Sequence, residues 1–213
     1  MQQFVEKLLS ENRSGFRKGH SCQGILMHLV DSKLRLEKPV EVVDFFTDLS
    51  KAFDCLSYKL VISILQAYSF DRTLCMSVAN YFTSRQQRVK VGSAPSNWSY
   101  LSKGTPPASH FGPFISNVLS YDLLYLIADQ YDICNYADDS SICCHGSNVD
   151  DVITNLEKAS NLMLIWFKEN YIQPNSDKSE FILFHNAAQS SDKSMKVGDT
   201  ILEPLELVKL DRV

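Results

Sequence analysis

The tetrapeptide Tyr136-Ala137-Asp138-Asp139 constrains the fold more than any other stretch of these 213 residues. Apolar-leaning segments flank it, Tyr131 to Asn135 before and Ser140 to Cys144 after, so it reads as strand, tight acidic turn, strand. Two adjacent carboxylates at a hairpin tip repel each other and cost stability unless a cation sits there. A divalent metal suits the position, because Mg²⁺ takes one or two carboxylates together with phosphate oxygens. A solvated Asp-rich turn is the competing reading, since Asp is a common turn residue. The hairpin alone leaves the two open.

A second segment far upstream separates them. Val40 to Asp48 is β-branched and aromatic, which predicts a buried strand ending in Asp48. A helical pattern follows, with Phe53, Leu56, Leu60, Ile64 and Leu65 spaced by about three and four. An Asp at the C-terminal end of a strand is well placed to meet a carboxylate pair at a neighbouring hairpin tip. Three carboxylates can hold two Mg²⁺ ions about 3.5–4 Å apart, an arrangement that drives in-line phosphoryl displacement.

Phe46-Thr47-Asp48-Leu49-Ser50-Lys51-Ala52-Phe53-Asp54, followed by Tyr136-Ala137-Asp138-Asp139, resembles motifs A and C of reverse transcriptases, most of all those of non-LTR retrotransposons of the LINE or jockey type. Gly15-Phe16-Arg17-Lys18-Gly19-His20-Ser21 is similar to the family's fingers motif. Gly104 to Leu123 stands where motif B belongs and keeps Gly104, Pro106, Ser109, Gly112 and Pro113. Asn175 to Phe181 is similar to motif D, and the resemblance covers about residues 8 to 208.

The resemblance implies an RNA-directed DNA polymerase that extends a DNA primer on an RNA template from dNTPs, with two Mg²⁺ ions and Mn²⁺ as a substitute. Asp48, Asp138 and Asp139 are then the catalytic and metal-binding residues. Phe53 stacks beneath the sugar and excludes a ribose 2′-hydroxyl, Arg17 contacts the triphosphate, and Lys178 is the acid for the leaving pyrophosphate. Each has a plainer competitor: Phe53 fits a helix core, Arg17 beside Lys18 fits a solvated basic loop, and Lys178 fits a turn. Asp54 fits a helix first turn, favoured by the macrodipole, better than a metal site.

Motif B departs from the family. Pro106-Pro107-Ala108 replaces the usual Pro-Gln-Gly run. Pro107 lacks a side-chain amide and a backbone N–H, and Ala108 adds a Cβ where the backbone should approach closely. His110-Phe111 is bulkier than the usual aliphatic pair. These changes, with a chain that starts near the fingers motif and ends near the primer-grip region, lead to a second expectation: a catalytically inactive truncated remnant with weak metal or nucleic-acid binding. A metal-dependent nuclease is a third use of the same carboxylates.

The expected architecture is α+β, a polymerase palm with partial fingers, an antiparallel sheet backed by helices and no thumb. One domain is expected over 1–213, with a fingers remnant over about 1–40, the palm over 41–185, and a linker plus the start of a primer-grip hairpin over 186–213. Helices are expected at about 21–36, 52–67, 71–83 and 109–128. Another helix should be capped by Asn148, with Asp150 and Asp151 in its first turn. Strands are expected at 87–91, 98–101 and 180–184, and a final hairpin should turn at Gly198-Asp199.

The composition, 45% hydrophobic and 22% charged, suits a domain with a real core. A net charge of −4 is unlike that of an autonomous nucleic-acid binder. From Ser84 to Lys103, however, Arg85, Arg88, Lys90 and Lys103 occur with no acidic residue, beside Tyr81, Phe82, Trp98 and Tyr100. Arg85, Arg88 and Lys90 can track a phosphate backbone while the rings stack on bases; the alternative is a hairpin with a solvated basic face and a core Trp98. Six cysteines without a C-x-x-C pair and no signal peptide predict reduced thiols in an intracellular protein, nuclear or cytoplasmic and not secreted. The five histidines lack zinc-ligand spacing. The most apolar run, Phe111 to Ala128, is interrupted by Ser116, Asn117, Ser120 and Asp122, so a buried helix and no membrane span is expected.

Overall fold

The computed structural model describes residues 14–15, 17, 19–21, 23–24, 27, 41–48, 56–105, 111–128, 130–137, 139–146, 148–172, 174, 179–184 and 193–205, with 41–48 and 184 described by their backbone alone. Its centre is a four-stranded antiparallel sheet in the order β6-β7-β1-β8. These strands are β1 (Glu41–Asp48), β6 (Asp132–Tyr136), β7 (Asp139–Gly146) and β8 (Glu180–Phe184). The antiparallel sheet with helices against it is the expected α+β palm layer.

Side chains alternate across a sheet with period two, and burial identifies the covered face. Ile133, Ile142, Cys144 and Phe181 pack with Val152, Leu156, Met163 and Phe167 of a 21-residue helix, α5 (Val149–Glu169). The helix starts as its sequence dictates: Asn148 Oδ1 accepts from Asp150 N–H at 2.9 Å, with Asp150 and Asp151 in the first turn. The C-terminal hairpin β9 (Met195–Val197) and β10 (Thr200–Leu202) turns through Gly198 at φ 60. It docks on α5 through Lys196 N–H to Glu157 Oε1 at 2.7 Å and Gly198 N–H to Asn161 Oδ1 at 3.0 Å. A Lys193–Asp150 ion pair joins it to the helix start.

A second core lies among α1 (Tyr58–Ala67), α2 (Arg72–Phe82) and α3 (Phe111–Leu119). Asp71 caps α2, its carboxylate accepting from Thr73 N–H at 2.6 Å; that bond holds the Asp71 carboxyl below its ordinary pKa. The single helix expected over 109–128 is two, α3 and α4 (Tyr121–Ala128), broken at Ser120. Ser120 Oγ–H donates back to the Ser116 carbonyl at 2.8 Å, a bond that competes with regular helix geometry. The break is where the apolar run changes cores: Ile115, Val118 and Leu119 belong to the helical cluster, Leu123, Leu124 and Ile127 to the sheet cluster. Length and composition alone would let residues 111–128 cross a membrane, yet half of that window is buried inside this fold. Of the helix expected over 21–36, residues 23–24 and 27 are described and are helical. The helix expected from 52 is described from Tyr58, with 52–55 outside the described residues.

Asp122, in the first turn of α4, is partly buried, and that burial raises its carboxyl above the ordinary range. Leu123 N–H donates to it at 3.1 Å. The buried Trp166 indole N–H favours its charged form without reaching regular hydrogen-bond geometry. A carboxyl with a raised folded-state pKa takes up its proton more readily folded than unfolded, so its charge costs stability above the ordinary carboxylate range. Asp122→Asn should therefore raise the melting temperature at pH 7, and the gain should vanish as pH falls below that range. Thermal melts from pH 7 to pH 3.5 check this; an equal gain at every pH would assign the effect to packing instead.

Candidate active site

The acidic turn joins β6 to β7, and its strands close on the rung Tyr136↔Asp139. Two residues remain for the tip, and Ala137 sits at φ 57, the left-handed conformation that primed hairpin turns need. Asp138, the other tip residue, lies outside the described residues. Beneath the turn Asn135 and Ser140 pair, the amide Nδ2 donating to Ser140 Oγ at 2.7 Å, both side chains buried.

β1 brings in the third acidic position. Its ladder with β7 runs from Glu41↔Gly146 to Asp48↔Asp139, so the last residue of the strand stands directly opposite the first residue after the turn. Asp139 is exposed and three residues from Ile142, which places it on the face of the sheet away from α5. Opposite positions of an antiparallel ladder share a face, with Cβ atoms generally about 4.5–5.5 Å apart. By the same alternation that face carries positions Asp44, Asp132 and Glu180. The four strands hold six carboxylate residues and no lysine or arginine. Like charges on one rung destabilise a sheet, so this face gains from a cation. Among the described residues no three His, Cys, Asp or Glu side chains converge on one point; Asp138 and the Asp48 side chain are outside that set.

The N-terminal segment reaches this turn in a way that spacing does not reveal. Ser14 N–H donates to the Asn135 carbonyl at 3.0 Å. Gly15 is buried with its backbone against the turn: a Cβ there would overlap the backbone N and Cα of Ala137 and lie 3.0 Å from the Tyr136 carbonyl carbon. Ser14 Oγ and His20 Nδ1 are 3.4 Å apart. This strap sets the backbone of Arg17 two residues beyond the contact with the acidic turn.

Gly104, where motif B begins, adopts φ 83 and donates its N–H to the Leu56 carbonyl at 2.9 Å, which ties this loop to the connection after β1. Residues 106–110, Phe53 and Lys178 lie outside the described residues. Arg85, Arg88 and Lys90 stand apart from the acidic turn in sequence, on a ribbon after α2. The ribbon is built of β2 (Gln86–Gln87) with β5 (Ser99–Tyr100), and β3 (Lys90–Val91) with β4 (Ala94–Pro95). Trp98 on this ribbon is 58% exposed, so the core role considered for it is corrected. Strands two residues long present too little area for another element to cover.

A family model described as reverse transcriptase (RNA-dependent DNA polymerase) matches residues 1–199. A probable RNA-directed DNA polymerase from transposon BS of Drosophila melanogaster is 24% identical over 180 residues, which are 81% of this chain and 20% of that protein. The chain thus spans about a fifth of that relative's length. Among solved structures, Candida tropicalis telomerase in complex with the TWJ fragment of telomeric RNA is similar with a TM-score of 0.64 at 12% identity, over 92% of this chain and 34% of that one. Apo telomerase from Candida tropicalis truncated from its C-terminal domain is similar with a TM-score of 0.60 at 13% identity, over 95% and 42% of the two chains.

Proposed function

The chain belongs to the reverse transcriptase (RNA-dependent DNA polymerase) family, and from that premise we propose that it is the palm of a retrotransposon enzyme that copies an RNA template into DNA. The observation that carries the reading is the rung Asp48↔Asp139 next to the Asp138 tip. Two chain segments remote in sequence deliver acidic positions to one end of one sheet face, with no lysine or arginine in its strands.

Asp48, Asp138 and Asp139 would hold two divalent ions, Mg²⁺ or Mn²⁺, which when bound neutralise the triphosphate and lower the pKa of the primer 3′-hydroxyl. The carboxylates also orient that hydroxyl for in-line attack. Arg17, carried by the strap that touches the turn, binds the triphosphate of the incoming dNTP through charge-assisted hydrogen bonds. Phe53 follows β1 and excludes a ribose 2′-hydroxyl. Lys178 precedes β8 and donates a proton to the leaving pyrophosphate.

The test is extension of a DNA primer on an RNA template by the full chain with Mg²⁺ and dNTPs, beside Asp138→Ala/Asp139→Ala. Extension by the parent and none by the variant supports the proposal. Equal extension by both rules the carboxylate mechanism out. The second reading, a folded domain without catalysis, is favoured by Pro106-Pro107-Ala108 in motif B; a folded parent that extends nothing under these conditions would establish it.

A further inference from the structure

The ribbon from Arg85 to Leu101 stands out from the rest of the molecule. Its ends are tied by Leu101 N–H to the Arg85 carbonyl at 2.8 Å, and its middle by Ser96 N–H to the Val89 carbonyl at 2.8 Å. Every residue from Gln86 to Tyr100 is exposed, including Trp98 and Tyr100 at 58% and 71%. The Arg88 guanidinium lies over the Trp98 ring, 4.6 Å from its centroid. At the base, Arg85 lies 4.0 Å over the Tyr81 ring and donates Nε–H to the Tyr81 carbonyl at 2.6 Å. Phe82, beside it, is buried in the helical core and anchors the ribbon.

Trp98 and Tyr100 are large exposed rings on one ribbon, and the charge around them selects the partner they suit. Ser84 to Lys103 holds four cations and no carboxylate, which opposes a basic partner and favours a polyanion. The exposed Trp98 and Tyr100 rings offer π faces that accept any base, with the Arg88 guanidinium beside Trp98 and Lys90 on the same ribbon for the backbone. We propose that this ribbon is a stacking platform for unpaired bases of single-stranded RNA, a second nucleic-acid contact separate from the acidic turn. The inference rests on the reading of the chain as an RNA-copying palm, and it needs neither metal nor catalysis.

The two tryptophans make the test direct. Trp166 is buried and Trp98 is exposed, so quenching of intrinsic fluorescence by bound bases reports on Trp98. The full chain is titrated with a 12-nucleotide oligouridylate in EDTA, and affinity is read in parallel by anisotropy of a labelled strand. The expected result is quenching in the parent, loss of quenching in Trp98→Phe, and affinity about tenfold weaker in Trp98→Ala. Arg88→Ala and Lys90→Ala should each reduce the slope of log affinity against log salt by about 0.7. These side chains are exposed, and circular dichroism of each variant checks that it folds. Unchanged affinity in Trp98→Ala and Arg88→Ala overturns the platform. So does equal quenching by an RNA duplex, or self-association of the chain without quenching, which would assign the ribbon to a protein contact. A chain inactive in primer extension that still shows Trp98-dependent binding keeps this inference and loses the catalytic one; an active chain whose variants bind normally does the reverse.

Discussion

Asp48→Ala and Asp139→Ala should each slow RNA-templated primer extension by about 10²–10³-fold, and the double variant should lose little beyond either single one. The two positions form one rung of the β1–β7 ladder. Groups that act as one unit in a transition state give strongly non-additive losses. Stability should move the opposite way. Like charges directly opposite in a sheet are unfavourable, so without added metal each single variant should melt at or above the parent's temperature. Extension rates at saturating dNTP and melting curves in EDTA measure both. Multiplicative losses in the double variant, or singles that lose activity because they unfold, would refute a shared catalytic rung.

Gly15→Ala should reduce extension by about 10²-fold, the scale expected when a reacting geometry is displaced by about 1 Å. No side chain at position 15 touches substrate; the effect arises because a Cβ overlaps the Ala137 backbone. Either the strap lifts, breaking the Ser14–Asn135 hydrogen bond, or the turn shifts and takes its carboxylates along. Gly19→Ala is the matched control. Gly19 adopts φ 82 with no atom within 4 Å of its would-be Cβ, so alanine there meets only backbone strain, about 1–2 kcal/mol. Exchange of the Ser14 amide with deuterium should speed up in Gly15→Ala. If the two alanine variants extend primers equally well, the strap does not position the turn.

Much of the palm was legible because its signals are local. Val40 to Asp48 announces a strand by its β-branched and aromatic run, and Asn148 with Asp150 and Asp151 announces a helix start. The hairpin around the acidic turn was legible because two strand-like segments flank a tight turn, and the ladder closes on Tyr136↔Asp139 as that pattern requires. Three features were not legible. Gly15 meets Ala137 across most of the chain, and no periodicity encodes which glycine lies against which backbone. The break at Ser120 was hidden because the apolar run continues through it; only the existence of two cores makes one helix into two. Trp98 stayed open between a core and an accessible ring because aromatic residues usually find a core, whereas here it lies exposed on a ribbon of two-residue strands.

The ladder from Glu41↔Gly146 to Asp48↔Asp139 also sets where the gene can change length. Residues added between α2 and α3 would enlarge a surface excursion and leave the acidic positions where they are. One residue inserted between 41 and 48 would move Asp48 along its strand and turn the following positions to the opposite face of the sheet, taking Asp48 off the rung it shares with Asp139. At the far end Gly146 guards the same alignment, since a Cβ there would come within 2.8 Å of Val152 on α5. Insertions and deletions recovered in working copies of such a chain should therefore cluster in the connections and leave these two eight-residue strands intact in length.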